Sequence, residues 1–518
     1  VMDKYDVAII GCGFSGLLCA NYLREAGVEN FCIIEMNTNL GGVWSHGGVG
    51  SYPGAACDVP SYTYLPFLDR TGFIPSKKYV SQSEIADYAE MLADHCQVRE
   101  KIIFSTKVVG VAYQDIGDWE LSTWNVAENC PGESIRAMHV VCANGPLSSP
   151  RMPEVPGMSS FKGESFHTAL WDRSANLKDK NVGIIGTGAS AAQVITSICD
   201  DVDSLTVFQR TATWALPRDD EPTPPEIVKA FKDGGYSEKL RYVDWKGEFP
   251  PDPNAPFTFD MLHNEEQNSA ICKGIAERIK KEVSDPVLAK TLTPDYPFFC
   301  KRVLFIDDYY TTFNKPNVHL VHEPGGVSAI TENGLETASG ASYDFDVIIY
   351  ATGFDNGLIP FPVVGKDGVT LADRFGASQS NNFQMTDPET LWGIHVADMP
   401  NFYMMIGPQS LNPVTNVTLL CEEQSKYIAS IVSEMKKDGF REVEPKQEAV
   451  ARWSNKCNET AEGKVWLQCN NWYTKSTKTD EKAGRQRSRL MWMESYETYL
   501  RHLIGGEEGA RNEHLRFS

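Results

Sequence analysis

A chain of 518 residues is long enough for about three or four packed domains. Its net charge of −21 excludes an extended nucleic-acid surface, because phosphate backbones are bound by basic faces. No apolar stretch is long enough to span a bilayer, and the first strand begins within a few residues, so neither a membrane anchor nor a signal peptide is expected.

In chain order, Tyr5 to Ile10 is a short apolar run of the kind found in buried parallel strands. The turn Gly11-Cys12-Gly13-Phe14-Ser15-Gly16 follows, then a predicted helix from Leu17 to Ala26 and a second strand, Phe31 to Ile34. Glu35 stands at the carboxyl end of that strand, 24 residues after Gly11, with Met36 next to it. A pyrophosphate sits on the N-terminus of such a helix, where unpaired N–H groups favour anions, and a carboxylate at the position of Glu35 holds ribose hydroxyls. The unit reads as an FAD site. Ser81-x-x-Glu84 predicts a capping box opening a helix, with Ile85, Tyr88 and Leu92 on one face. Trp119 to Val126 and His139 to Ala143 are predicted strands, and Pro146 to Pro156 reads as a crossover linker.

The pattern then repeats. Asn181 to Ile185, the turn Gly186-Thr187-Gly188-Ala189-Ser190-Ala191, a helix near Ala191 to Cys199 containing Gln193, and Leu205 to Phe208 form a second unit. Ala191 is a substitution this fingerprint allows at its last glycine. The unit ends in the opposite charge: Arg210 lies 24 residues after Gly186, with Thr211 beside it, where a guanidinium holds a 2′-phosphate. It reads as an NADPH site. Pro217 to Pro256 is irregular, and Leu262 to Leu292 is helical, with Ile271, Ile275 and Ile279 spaced by four. Sheet character resumes at Val318 to Val321 and Asp346 to Tyr350. The chain then returns to its first domain through a strand, Phe402 to Ile406, and a helix, Glu422 to Met435.

The expected fold is α/β, with two Rossmann-like dinucleotide-binding domains and a helical insertion in the second. The expected division is 1–145 and 354–518 for the FAD domain, 146–218 and 300–353 for the NADP domain, and 219–299 for the insertion, with a mobile loop near 472–490. Thirteen cysteines without a C-x-x-C pair point to reduced thiols in a cytoplasmic setting and to no metal site. The Asn416 and Asn458 glycosylation patterns are read as chance.

Phe161-x-Gly163-x-x-x-His167-x-x-x-Trp171-Asp172, between the two glycine turns, resembles the fingerprint of type I Baeyer–Villiger monooxygenases, members of the class B flavoprotein monooxygenases. Gly41-Gly42-Val43-Trp44 and Tyr52-Pro53-Gly54-Ala55-Ala56-Cys57-Asp58 resemble that family's flavin-side segments, with Val59 and Tyr64 beside them. Phe299-Cys300-Lys301-Arg302 resembles its active-site arginine segment, Ala351-Thr352-Gly353 its second-domain signature, and Asn471-Trp472-Tyr473 its C-terminal loop. The resemblance covers nearly the whole chain. The departures are a longer Ser45–Ser51 stretch, Ala56 in place of an arginine, and a charged Lys475–Arg485 in place of a glycine-rich loop.

The resemblance implies FAD, NADPH, O2 and a ketone substrate, oxidised through a C4a-peroxyflavin to an ester or lactone. It implies that Arg302 holds negative charge at the flavin and that Asp58 orients Arg302 by a bidentate ion pair. Lys301, Arg210 and Thr211 would clamp the 2′-phosphate, Trp472 would approach NADP, and His167 would couple the domains. A heteroatom oxygenase of the sister family, acting on sulfur or nitrogen, is the alternative; Trp171-Asp172 and Arg302 speak against it. A disulfide reductase would need a redox cysteine pair near the flavin, and a flavin-binding protein without activity is a further reading. Oligomeric state is left open, a monomer included.

Overall fold

The computed structural model describes residues 4–233, 262–355, 359–376, 385, 387–411, 416–471, 474–475, 488–489, 491–504 and 510–518. Strands β1 (Lys4–Ile10), β2 (Phe31–Ile34), β3 (Ile102–Ile103), β4 (Thr106–Gln114), β5 (Asp118–Asn125), β6 (Cys130–Pro131) and β7 (Ile135–Cys142) build a first sheet. β8 (Glu164–His167), β9 (Asn181–Ile185) and β10 (Ser204–Gln209) begin a second sheet, while β11 (Ala215–Leu216) and β12 (Leu304–Phe305) pair with each other. β13 (Val318–His322) rejoins the second sheet, and β14 (Val327–Ile330), β15 (Gly334–Thr337) and β16 (Ser342–Asp344) form a small antiparallel one. β17 (Val347–Tyr350) completes the second sheet, and β18 (Val363–Val364) and β19 (Phe402–Met404) close onto the first.

The first sheet runs β18-β4-β5-β7-β1-β2-β3, with β19 also on β7 and β6 on β5. Its centre is parallel: Ile10 registers with Ile34 on one side and Cys142 on the other. The second sheet runs β13-β10-β9-β17-β8 and is parallel throughout. In each sheet a central strand feeds its glycine turn at the carboxyl edge, where α/β sheets open a ligand crevice. The strands there are apolar on both faces because helices cover both, as Val7, Ala8 and Ile9, all at 0% exposure, illustrate.

Five helices matter to the site: α1 (Phe14–Glu25), α2 (Gln82–His95), α3 (Ala189–Ile198), α4 (Glu265–Glu282) and α5 (Val417–Asp438). α5 packs along α1, and Ser15 Oγ lies 3.0 Å from Cys421 Sγ while Tyr22 donates to Glu422 at 2.8 Å. Asn416 caps α5 by accepting from the Thr418 N–H, and it also donates to the Thr63 carbonyl, so this glycosylation pattern is buried in the structure. α2 buries Ile85, Tyr88 and Leu92, but its capping box is not formed. Ser81 Oγ pairs with Ser83 instead, and the Glu84 carboxylate turns outward to the backbone N–H and hydroxyl of Ser76. The Ser76 turn offers Glu84 two donors at once, which outcompetes one N-cap N–H.

The predicted Leu262–Leu292 helix is two helices, α4 and Pro286–Leu292, because Pro286 cannot continue α4 and Asp285 caps the second. Ile275 and Ile279 are buried and Ile271 partly so. The two crossings between the sheets run side by side. Arg151 N donates to Gly353 O and Asp355 N to Ser149 O, both at 2.9 Å.

The reduced-thiol expectation needs one correction: Cys300 and Cys469 form a disulfide across a separation of 169 residues. No spacing rule finds such a pair, because only the fold brings the two segments together. No helix among the described residues is long and apolar enough to cross a membrane.

Candidate active site

The first turn is built by close backbone approach. A Cβ on Gly16 would lie 2.0 Å from the Gly11 carbonyl oxygen, and Gly11, at φ +104°, would bring one within 2.7 Å of Ala143 O. Only glycine allows α1 to start this near β1 and β7. The N-cap of α1 is Gly13, with no side-chain cap, so its first N–H groups remain available to an anion. Gly13 faces Gly42, whose own Cβ would meet the Gly13 Cα at 2.9 Å.

Glu35 is almost fully buried at the end of β2. Its Oε2 accepts from the Cys12 N–H at 2.9 Å, and its Oε1 from the Asn37 N–H at 2.9 Å and the Asn37 amide at 2.8 Å. Burial pushes its carboxyl above the usual carboxylate range, and these N–H donors pull it back only in part. Met36 and Asn37 line a cavity of about 320 Å3 with Thr38, Asn39, Ser45 and His46. Phe14 packs edge-on against Tyr64, whose hydroxyl accepts from the Trp44 indole at 2.7 Å.

The longer Ser45–Ser51 stretch coils back onto Gly42–Trp44. Gly50 N donates to Val43 O at 2.9 Å, and Ser45 Oγ donates to Gly42 O at 2.9 Å. Gly48 and Gly50 permit this, since a Cβ on either would come within 2.7 Å of those same carbonyls.

The second turn follows the same physics with one difference. Gly186 has φ +121°, and a Cβ there would meet Ala351 O at 2.4 Å; Ala351 N in turn donates to Ile185 O. Gly188, the uncapped N-cap of α3, faces open space, with nothing within 4 Å of where a Cβ would stand. Thr187 Oγ1 donates to the Thr211 carbonyl at 3.0 Å and ties the turn to the end of β10. Arg210 is exposed there, packed over Gly326. Lys301 Nζ lies 4.9 Å from the Tyr296 ring centre. Burial first, then the neighbouring Arg210 charge, lower the Lys301 amine below the ordinary lysine range. Two cations near enough to repel each other call for a shared anion.

Between the sheets, Gln193 on α3 accepts from the Tyr52 hydroxyl and donates to the Ala56 carbonyl, both at 2.8 Å. Ser190 also touches the Tyr52 hydroxyl. Ala56 therefore contributes a backbone oxygen to this joint. Two residues on, Asp58 Oδ2 accepts from Arg302 Nη2 at 2.7 Å and Nε at 3.1 Å, so the guanidinium forks onto one carboxylate oxygen. Val59 N donates to Cys57 Sγ just beyond. Thr352 donates to the Arg151 carbonyl, and His167 lies against this crossing, 1% exposed, with its ring edge to Phe354 and its Nδ1 accepting from Ala169 N. Trp472 lies outside the described residues.

The donor set fits two dinucleotides: two uncapped helix starts in glycine cradles, a buried carboxylate beside a cavity at one, and a cation pair at the other. A model of the family Flavin-binding monooxygenase-like matches residues 4–230. A Baeyer-Villiger monooxygenase of Streptomyces coelicolor is 34% identical over 91% of this chain and 87% of its own. The chain belongs to the Baeyer–Villiger monooxygenases. A 2-oxo-Delta(3)-4,5,5-trimethylcyclopentenylacetyl-CoA monooxygenase of Pseudomonas putida is 32% identical over 91% of each chain. Among solved structures, the OTEMO complex with FAD and NADP superposes with a TM-score of 0.87 at 30% identity over 99% of both chains. Cyclohexanone monooxygenase from Rhodococcus sp. Phi1 bound to NADP+ does so with a TM-score of 0.87 at 26% identity over 100% of both. This Baeyer–Villiger monooxygenase is thus a flavoprotein that uses FAD and NADPH, and the heteroatom-oxidising alternative is the weaker reading.

Sequence reasoning missed Asn37, which holds Glu35, and the pairing of Tyr52 with Gln193. An amide residue two positions after Glu35 was a signal for the first. The second had none, because its partners are 141 residues apart in the chain.

Proposed function

We propose that this monooxygenase converts a ketone to an ester or lactone with Arg302 as the charge-holding residue and Asp58 as its positioning partner. The observation that carries the proposal is the Arg302–Asp58 fork. When bound, flavin reduced by NADPH supplies activated oxygen for attack on a carbonyl. Arginine keeps its proton at any working pH, so Arg302 presents a permanent cation to charge that develops there. The pair is half-exposed, with Arg302 at 41% and Asp58 at 23% of their side-chain surface. Such a pair is held by only ~0–1 kcal/mol, so Arg302 can leave Asp58 for a better anion and return.

In this reading Gly11, Gly13, Ser15 and Gly16 take the FAD pyrophosphate on the α1 N-terminus, and Glu35 takes the ribose. The cavity beside Met36 and Asn37 admits the adenosine end. Gly186 to Ser190 take the NADP pyrophosphate, and Arg210, Thr211 and Lys301 take its 2′-phosphate. Trp44, Tyr64 and Val59 wall the flavin side, and Ala351 to Gly353 close the NADP side. A cytoplasmic enzyme, where NADPH is regenerated, agrees with eleven free cysteines, nine of them buried.

The test is a panel of cyclic, linear and aromatic ketones, read by NADPH consumption and by product mass. An ester or lactone one oxygen heavier than its ketone is expected. Oxidation of sulfides and amines with no ketone converted rejects the reading.

A further inference from the structure

Cys300 immediately precedes Lys301 and Arg302, and its position is fixed from two sides by one short segment of chain. Its side chain, at 0% exposure, is bonded to Cys469. Its carbonyl accepts from Asn471 Nδ2 at 2.8 Å. The same nitrogen donates to the Trp466 carbonyl at 2.7 Å, while Asn471 Oδ1 accepts from Thr474 N at 2.9 Å and Thr474 Oγ1 at 3.1 Å. Trp466 is wholly buried in the same core as Phe298 and Phe299, so the segment that grips Cys300 is itself anchored.

The backbone before the cation pair is also unusual. Phe299 has φ +64°, a left-handed conformation that a bulky residue keeps only where its surroundings impose it. After the pair the chain is secured again, since Leu304 N donates to the Trp214 carbonyl and β12 pairs with β11. Lys301 and Arg302 therefore stand on a bridge with one end in a sheet and the other in the Cys300 clamp. From that bridge Arg302 donates to Asp58, while the Lys301 ammonium lies 4.9 Å from the Tyr296 ring centre, within reach of the Arg210 charge.

We propose that the Cys300–Cys469 disulfide and Asn471 are positioning residues: together they set the backbone from which Lys301 meets the nucleotide phosphate and Arg302 meets the flavin-side charge. The proposal rests on the site reading above. It makes nucleotide choice and coupling responsive to thiols. A dithiol such as dithiothreitol gives two electrons and two protons to the S–S bond, yielding the Cys300 and Cys469 thiols and the cyclic disulfide of the reagent. Asn471 alone then holds the bridge. Cys469 is the less buried of the two cysteines.

The experiment uses the flavin-loaded enzyme as purified, before and after dithiothreitol, beside Cys469→Ser, Asn471→Ala and Lys301→Ala. Denaturing alkylation without reductant, read by intact mass, is expected to add eleven labels to the oxidised enzyme and thirteen to the reduced one. Reduction and Cys469→Ser are each expected to raise the KM for NADPH about tenfold, the scale of one weakened charge-assisted hydrogen bond, with the KM for NADH unmoved. Ester formed per NADPH consumed falls in parallel. Reoxidation restores the untreated enzyme and leaves Cys469→Ser unchanged, and Asn471→Ala makes the effect of reduction larger. A merely structural bond would lower the active fraction for both nucleotides and leave their KM ratio alone, and that result overturns the proposal. Thirteen labels on the oxidised enzyme overturn it too. If Lys301→Ala itself leaves the ratio unmoved, the phosphate assignment fails and the clamp's role fails with it; if Lys301→Ala shifts the ratio and neither reduction nor Cys469→Ser does, the clamp alone is refuted.

Discussion

Asp58 and Arg302, 244 residues apart in the chain, meet at 2.7 Å between Oδ2 and Nη2. Asp58 ends the segment that begins at Tyr52, and Arg302 comes from the bridge between the clamp and β12. Arg302→Ala should leave NADPH oxidation running while ester formation falls by about 10²–10³, the usual loss when one preorganised charge donor is removed. Arg302→Lys should recover part of it, since the charge returns without the planar fork. Asp58→Asn should cost about tenfold in kcat, because the guanidinium keeps its charge and loses its guide. Product analysis against NADPH consumption reads all three, and ester yield untouched by Arg302→Ala would remove the assignment.

The Lys301–Arg210 pair yields a pH prediction with a definite sign. Burial, then the Arg210 charge, lower the Lys301 amine, so its cation is lost earlier on an alkaline titration than that of a free lysine. The protonated form is the one that grips a phosphate. kcat/KM for NADPH, which reports the free enzyme, should therefore fall as pH climbs toward the ordinary lysine range. The value for NADH should stay level across the same window. Lys301→Arg should flatten the NADPH profile, and Arg210→Glu should raise the NADPH KM by about 10- to 100-fold, as loss of a charge-assisted pair does. Parallel profiles for the two nucleotides would rule out a role for Lys301 at the 2′-phosphate.

Two glycines of the second turn should respond differently to the same substitution. Gly186→Ala places a methyl 2.4 Å from Ala351 O at φ +121°, so it should unseat β17 from β9 and yield little folded protein. Gly188→Ala has open space and an extended backbone of φ −75°, so the fold should survive. Its methyl instead occupies the approach to the α3 N-terminus. KM should rise equally for NADPH and NADH, with no change in flavin content. A well-folded Gly188→Ala enzyme with wild-type KM for both would place the pyrophosphate elsewhere.

The two nucleotide units were legible because their signals are local. A buried strand, a glycine turn and a charge after the next strand all fall within one short stretch, and the backbone geometry that demands glycine is set by neighbours in that stretch. The return of the chain to the first sheet was legible as well, since Phe402 to Ile406 is an apolar run; β19 pairs with Val140 to Cys142 of β7, beyond the Ile135 to Ala137 end that β5 takes. The Arg302–Asp58 meeting was accessible only through family resemblance, because no periodicity relates residues so far apart. Cys300–Cys469 was not legible at all, and cysteine spacing argued against it. The Ser81–Glu84 box failed for a related reason: a local rule could not see that Ser76 would fold back to compete for Glu84.

Gln193 offers a test of how the two sheets are aligned. It hydrogen-bonds Tyr52 and the Ala56 carbonyl from α3, the helix whose N-terminus is proposed above to take the NADP pyrophosphate. Gly54, in the turn between Tyr52 and Ala56, lies so close that a Cβ would sit 1.9 Å from Ser197 Oγ and 2.6 Å from the Gln193 carbonyl oxygen. The turn and α3 are thus in contact at backbone level, and the Gln193 amide sets their lateral position. Gln193→Ala removes two hydrogen bonds worth about 1 kcal/mol each, too little to unfold the protein and enough to let the turn slide. Hydride transfer depends steeply on the distance between nicotinamide and flavin, so flavin reduction in stopped flow should slow by about tenfold or more. It should slow alike with NADPH and NADH, unlike the effect of Arg210→Glu. Gly54→Ala should act in the same direction more strongly, and adding Ser197→Ala should not rescue it, because the Gln193 carbonyl remains in the way. A Gln193→Ala enzyme that reduces its flavin at the wild-type rate would show that this joint holds the domains without aligning the cofactors.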